Sequence, residues 1–153
     1  MFDRLKIWLG EGDQRASDGA EEVRLAVAAL LMEAAHVDGD LDTGERNAVR
    51  RILQQHFALG DEAAAALARA GEHQAERQTQ LFGITRFIRE RFSPARRIEV
   101  IEMLWEVVYA DGALDPLEDT LLRRVGGLVD VGDHERGEAR RRVVRRLGIA
   151  DRS

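Results

Sequence analysis

Apolar residues recur along this chain at spacings of three and four, and nowhere do they alternate with polar ones in the period of two that marks a strand. Phe2, Leu5, Trp8 and Leu9 fit a short amphipathic helix over residues 1–10, ending at Gly10. The polar stretch 11–19 reads as a linker with turn chemistry. Val23, Val27, Leu30, Leu31 and Ala34 predict a helix over 20–37, stopped by Asp38-Gly39. A second helix begins after Asp42, with Val49, Ile52, Leu53 and Phe57 on one face. Gly60-Asp61 closes it and opens an Ala-rich helix over 61–75. Leu81, Ile84, Thr85 and Ile88 mark another, ending at Phe92-Ser93. Ser93 is placed to cap the next, over 94–110, with Pro94 in its first turn, where a missing N–H costs nothing. That helix is apolar on most sides and is expected to be the central element, with Trp105 in the core. Helices over 116–130 and 134–147 follow. The expected fold is all-α, a bundle of seven to eight helices forming one domain over 20–150.

Two stretches repeat each other without a gap. His36-Val37-Asp38-Gly39-Asp40-Leu41-Asp42-Thr43-Gly44-Glu45 aligns on Tyr109-Ala110-Asp111-Gly112-Ala113-Leu114-Asp115-Pro116-Leu117-Glu118, always 73 positions apart. Both read Asp-Gly-x-Leu-Asp-x-x-Glu, and outside the motif Leu31 falls on Leu104 and Glu33 on Glu106. This implies a duplicated helix–turn–helix unit, with residues 20–58 repeated as 94–131 and one acidic turn in each.

Two chemistries suit those turns. In the first, Asp42 and Asp115 accept from free N–H groups of the helix that follows. Glu45 and Glu118 reach back to the capping residue, and Gly39 and Gly112 supply a left-handed residue. With Leu41 and Leu114 plugging each corner into the core, that explains every shared position except Asp38 and Asp111. In the second, Asp38, Asp42 and Glu45, with Asp111, Asp115 and Glu118, hold a divalent cation, Ca²⁺ or Mg²⁺, which takes several oxygen ligands. The pattern is similar to the second half of an EF-hand loop. The first half departs from it, because Ala34 and His36, or Val107 and Tyr109, stand where carboxylates are needed.

Composition narrows the function classes. The chain has 153 residues, no cysteine and a net charge of −5, which disfavours both a disulfide framework and a nucleic-acid binder. No apolar run approaches the ~20 residues of a transmembrane helix, and the N-terminal apolar block is too short for a signal peptide. A cytoplasmic location is expected. His36, His56, His73 and His134 form no zinc spacing, and no nucleophile elbow or phosphate loop is present. Gly126-Gly127 reads as close helix packing. The arginines at 140–146 read as a solvated face, or as partners of Glu135 and Glu138 at i,i+4.

The two acidic turns, the run Leu104-Trp105-Glu106-Val107-Val108-Tyr109-Ala110-Asp111-Gly112 and the Ser93-Pro94-Ala95-Arg96-Arg97 before it resemble the TerB-like family over about 20–131. This family of tellurite-resistance-associated helical domains also includes the N-terminal domain of the membrane-anchored DnaJ-like co-chaperone DjlA. The resemblance implies an internally duplicated helical module linked to stress responses, with the six repeated acids as suspected metal ligands. No His-Pro-Asp triplet is present, so co-chaperone activity does not carry over. The expected function is a non-enzymatic module that binds a protein partner and, at its acidic turns, a divalent cation. Two alternatives stand beside it. One is a hydrolase whose paired carboxylates hold cations that activate water. The other is a membrane-surface adaptor using residues 1–9 or the arginine run.

Overall fold

The computed structural model describes residues 16–35, 41–77, 81–110 and 116–148, which form seven helices and no strand. They are α1 (Ala16–Ala35), α2 (Thr43–Phe57), α3 (Asp61–Arg77), α4 (Leu81–Arg91), α5 (Pro94–Tyr109), α6 (Pro116–Leu128) and α7 (Asp133–Leu147). The amphipathic segment 1–10, most of the linker, and Asp38, Asp111 and Asp115 lie outside the described residues. Helix α1 begins at Ala16, inside the stretch that reads as a linker. One glycine costs a helix about 1 kcal/mol, which the long helical run beyond Gly19 offsets.

Helix ends follow local chemistry. Asp42 caps α2 and Ser93 caps α5, each side chain accepting an N–H of the first turn, with Pro94 at the start of α5. Helix α2 closes on Ala58, not on Gly60. Ala58 takes the left-handed conformation (φ 55°), and the N–H groups of Ala58 and Leu59 return to the Gln54 carbonyl. Helix α6 stops at Leu128, two residues before its periodicity does. Asp130 turns left-handed (φ 64°), and the Val131 N–H reaches the Gly126 carbonyl at 2.8 Å. Arg97 at the start of α5 donates to the Val129 carbonyl at 3.1 Å, satisfying one of the acceptors that α6 leaves open.

The packing order of the first three helices recurs in the last three. Helix α1 packs on α2 and α3, and α5 packs on α6 and α7. Helices α2 and α6 start 73 residues apart, and α3 and α7 start 72 apart. The two units meet where α5 crosses α1 and α2, and α4 bridges them by touching α1 and α6. Helix α5 is the central element: all eight residues from Ile101 to Val108 are buried, Trp105 among them. Leu30, Leu31, Leu53, Phe57, Ile88, Ile101, Leu104 and Leu122 are sealed in one continuous core. Each such side chain contributes about 1.5–3 kcal/mol through its burial. Helices α1 and α3 touch at Ala28 and Gly71, where a Cβ built on the glycine would stand 2.5 Å from Ala28 Cβ. At the corresponding places the second unit carries Ile101 and Val143. Among the described residues no helix is long and apolar enough to cross a membrane.

Candidate functional site

The first acidic turn is built as a reciprocal cap. The Glu45 N–H donates to Asp42 Oδ1 at 2.7 Å, and the Asp42 N–H donates to Glu45 Oε1 at 2.9 Å. Each carboxylate thus spends one oxygen on an N–H that the helix cannot satisfy internally. Of the six repeated acids, these two are the ones brought together. Asp38, Asp111 and Asp115 lie outside the described residues, as does the side chain of Glu118. Among the described residues no group of three or more histidines and carboxylates is arranged to share a metal ion.

Against this turn lies an open cleft of about 330 Å³. Met32, Leu41 and Ala75 give it an apolar floor, and Glu33, Arg46, Glu72 and Glu76 ring it with charge. Three elements shape it: the last turns of α1, the start of α2 and the end of α3. Arg46 forks onto Glu72, its Nε 3.0 and 3.2 Å from the two oxygens and its NH2 2.9 Å from Oε2. Those bonds and the charge of Glu72 hold the Arg46 guanidinium above its usual pKa.

The second unit closes the corresponding seam with arginines. Glu106, which the repeat places on Glu33, accepts from Arg146 at 2.9 Å. Glu102 accepts from Arg142 and Arg146, each at 3.0 Å. Arg140 lies 5.6 Å over the Trp105 ring and donates to the Tyr109 hydroxyl at 2.7 Å. The arginines of α7 keep the expected exposure, Arg141, Arg145 and Arg146 being exposed and Arg140 and Arg142 half-buried, yet three of them also reach the neighbouring helix α5. Arg141 pairs with Glu138 at i,i+3, not at i,i+4. The reach follows from the α5 surface, where buried carboxylates must find cations or be neutralised. The two adjacent glycines also divide: Gly126 is buried, and a Cβ built on it would stand 3.4 Å from Arg136 Cδ, whereas one built on Gly127 would meet open space.

One cluster escapes the sequence reading. His56, whose side chain is 0% exposed, sits between two carboxylates of α5. Its Nδ1 meets Glu99, and its Nε2 meets Glu106 Oε1 at 2.5 Å. Burial lowers the imidazole pKa, but the hydrogen bonds and charges of Glu106 and Glu99 outweigh it and raise the value above the ordinary one. Arg146 shares Glu106, so α2, α5 and α7 join in one polar network. The signal was present in two places. His56 continues the apolar face of α2, and Glu99, Glu102 and Glu106 form a helical stripe on the central helix.

The fold and its sites define an all-helical, internally duplicated module with an acidic cleft at its first turn. The family model described as "Tellurite resistance protein TerB" matches residues 24–141, most of the chain, and the protein belongs to the TerB family. Comparison with curated proteins and with solved structures returned no match.

Proposed function

We propose that this chain is a non-enzymatic, cytoplasmic TerB module of a tellurite-resistance-like stress response, and that it binds a protein partner through the cleft at its first acidic turn. The observation that carries this reading is the cleft itself, an apolar floor of Met32, Leu41 and Ala75 rimmed by three carboxylates and a single guanidinium. Such a lining suits a partner segment that sets an arginine beside an apolar side chain. The second unit supports that chemistry. There Arg146 meets Glu106, the counterpart of Glu33, and Arg140 covers the neighbouring aromatic rings. A divalent cation at the acidic turns is the second part of the reading, supported by the repeated carboxylates alone.

Selection of random 15-residue peptides on the purified protein tests the partner chemistry. Recovered sequences should be enriched in arginine flanked by apolar residues, and their binding should weaken with salt and be lost in Glu33→Lys/Glu76→Lys. No enrichment, or undiminished binding by that variant, overturns the assignment of the cleft. Calorimetric titration with Ca²⁺ and with Mg²⁺ tests the cation. Heat that disappears in Asp38→Asn/Asp111→Asn supports it, and its absence in the wild type removes the cation from the proposal.

A further inference from the structure

Among the described residues, one ionic group is almost fully enclosed, and it is not the Asp42–Glu45 cap. It lies at the seam between the two repeat units, where α2 of the first unit crosses α5 of the second. His56 is 1% exposed, and both ring nitrogens face carboxylate oxygens. A neutral imidazole carries one N–H and one lone pair, so it can donate to only one of the two carboxylates. In that state the other nitrogen would turn its lone pair toward a carboxylate oxygen inside the protein. The arrangement therefore holds one proton more than a neutral histidine and two carboxylates supply.

The surroundings are arranged for that extra proton. On α5, Glu99 and Glu106 contact the ring, and Glu102 stands one turn from Glu106 on the same side. From α7, Arg142 and Arg146 reach Glu102, and Arg146 also holds Glu106. From α1, Arg24 lies 5.9 Å over the ring of Phe57, the residue beside His56. From α3, Asp61 is taken up by Gln54 at 2.8 Å. On α2 itself, Arg46 is committed to Glu72, about three turns away. At the seam an imidazolium and the guanidiniums of Arg142 and Arg146 meet the carboxylates of Glu99, Glu102 and Glu106. Removing the histidine proton leaves a buried excess of negative charge and an unmade hydrogen bond.

We propose that His56 is a proton-operated clamp between the two halves of the module: when doubly protonated it fastens α2 to α5, and when it loses a proton it lets α2 loosen. The sign follows from linkage. The folded-state pKa is raised above the unfolded value of about 6.5. The clamp therefore contributes fully below about pH 6.5, and its contribution fades as pH rises through the folded-state value. The contact of α1 with α3 at Ala28 and Gly71 uses no titratable group, so it does not share this dependence.

Nitrogen-15 NMR of the histidine rings, combined with site-resolved amide hydrogen exchange at pH 6 and pH 9, tests the clamp in the intact chain. Both His56 nitrogens should be protonated at pH 6, with a titration midpoint above about 6.5. Between the two pH values, exchange corrected for its intrinsic rate should accelerate in α2, about tenfold for each pH unit by which the midpoint is raised. Protection of α1 and α3 should persist. His56→Gln should show the loosened α2 at both pH values. A neutral His56 ring at pH 6 overturns the proposal, and the wild-type spectrum alone decides this if the variant does not fold. Unchanged α2 protection, or an equal loss in every helix, overturns it as well.

Discussion

Replacing Gly71 by alanine sets two effects of opposite sign against each other. In an isolated helix the change is favourable by about 0.8–1 kcal/mol, because glycine is the poorer helix former. In the folded protein the new methyl would stand 2.5 Å from Ala28 Cβ, 2.7 Å from its carbonyl carbon and 3.0 Å from its carbonyl oxygen. Two of these neighbours are backbone atoms of α1, which cannot rotate aside, so α1 and α3 must move apart. Overpacking of this kind costs roughly 1–3 kcal/mol and here outweighs the propensity gain. Gly137→Ala on α7 is the control, since its new methyl meets nothing nearer than Arg141 NH1 at 3.8 Å. Urea unfolding followed by circular dichroism should give a midpoint for Gly71→Ala lower by about 0.5–1.5 M with an unchanged slope. The control should be unchanged or higher. Adding Ala28→Gly removes the Cβ contact but not the carbonyl ones and carries its own helix cost of about 1 kcal/mol, so the double variant should lose less than the sum of the two single changes. If Gly71→Ala is as stable as Gly137→Ala, the close contact of the two helices is refuted.

Other perturbations read single interactions by the same unfolding assay. Asp42→Ala removes the acceptor of the Glu45 N–H and should cost about 1 kcal/mol. Ala58→Gly relieves a left-handed alanine, and after the entropy of the more flexible unfolded chain is deducted it should gain about 0.5 kcal/mol. Its stability should not fall below that of the wild type. Arg146→Ala strips cations from the nearly buried Glu102 and Glu106. It should cost about 1–3 kcal/mol, discounted from a fully buried pair because Arg146 is one-third exposed. Arg145→Ala, on the exposed side of the same helix, should stay within about 0.5 kcal/mol of the wild type.

Periodicity made the helices legible, and the repeat made the duplication legible. Spacings of three and four located the described helices to within a few residues, because each must bury one face. The ends were less legible. Gly60 looked like the stop of α2, yet the chain turns left-handed two residues earlier at Ala58, where the neighbouring N–H groups can return to Gln54. The repeat was traced over two helices, and the packing order recurs over three. Sequence identity fades in the third, where Ala28 and Gly71 pack closely, whereas their counterparts Ile101 and Val143 are bulky.

The sequence by itself determined an all-helical chain and made the cap of Asp42 and Glu45 one of two readings, because helical periodicity and capping depend on residues within a few positions of one another; its internal repeat was legible as plain identity at a constant offset. Only the tertiary structure decided the fate of charges carried by different helices. It set His56 against Glu99 and Glu106 across 43 and 50 residues of chain, and it brought Arg142 and Arg146 onto the carboxylates of α5. The physical reason is that a charge's environment is fixed by whatever packs against it. That depends on how helices cross, which local periodicity does not specify.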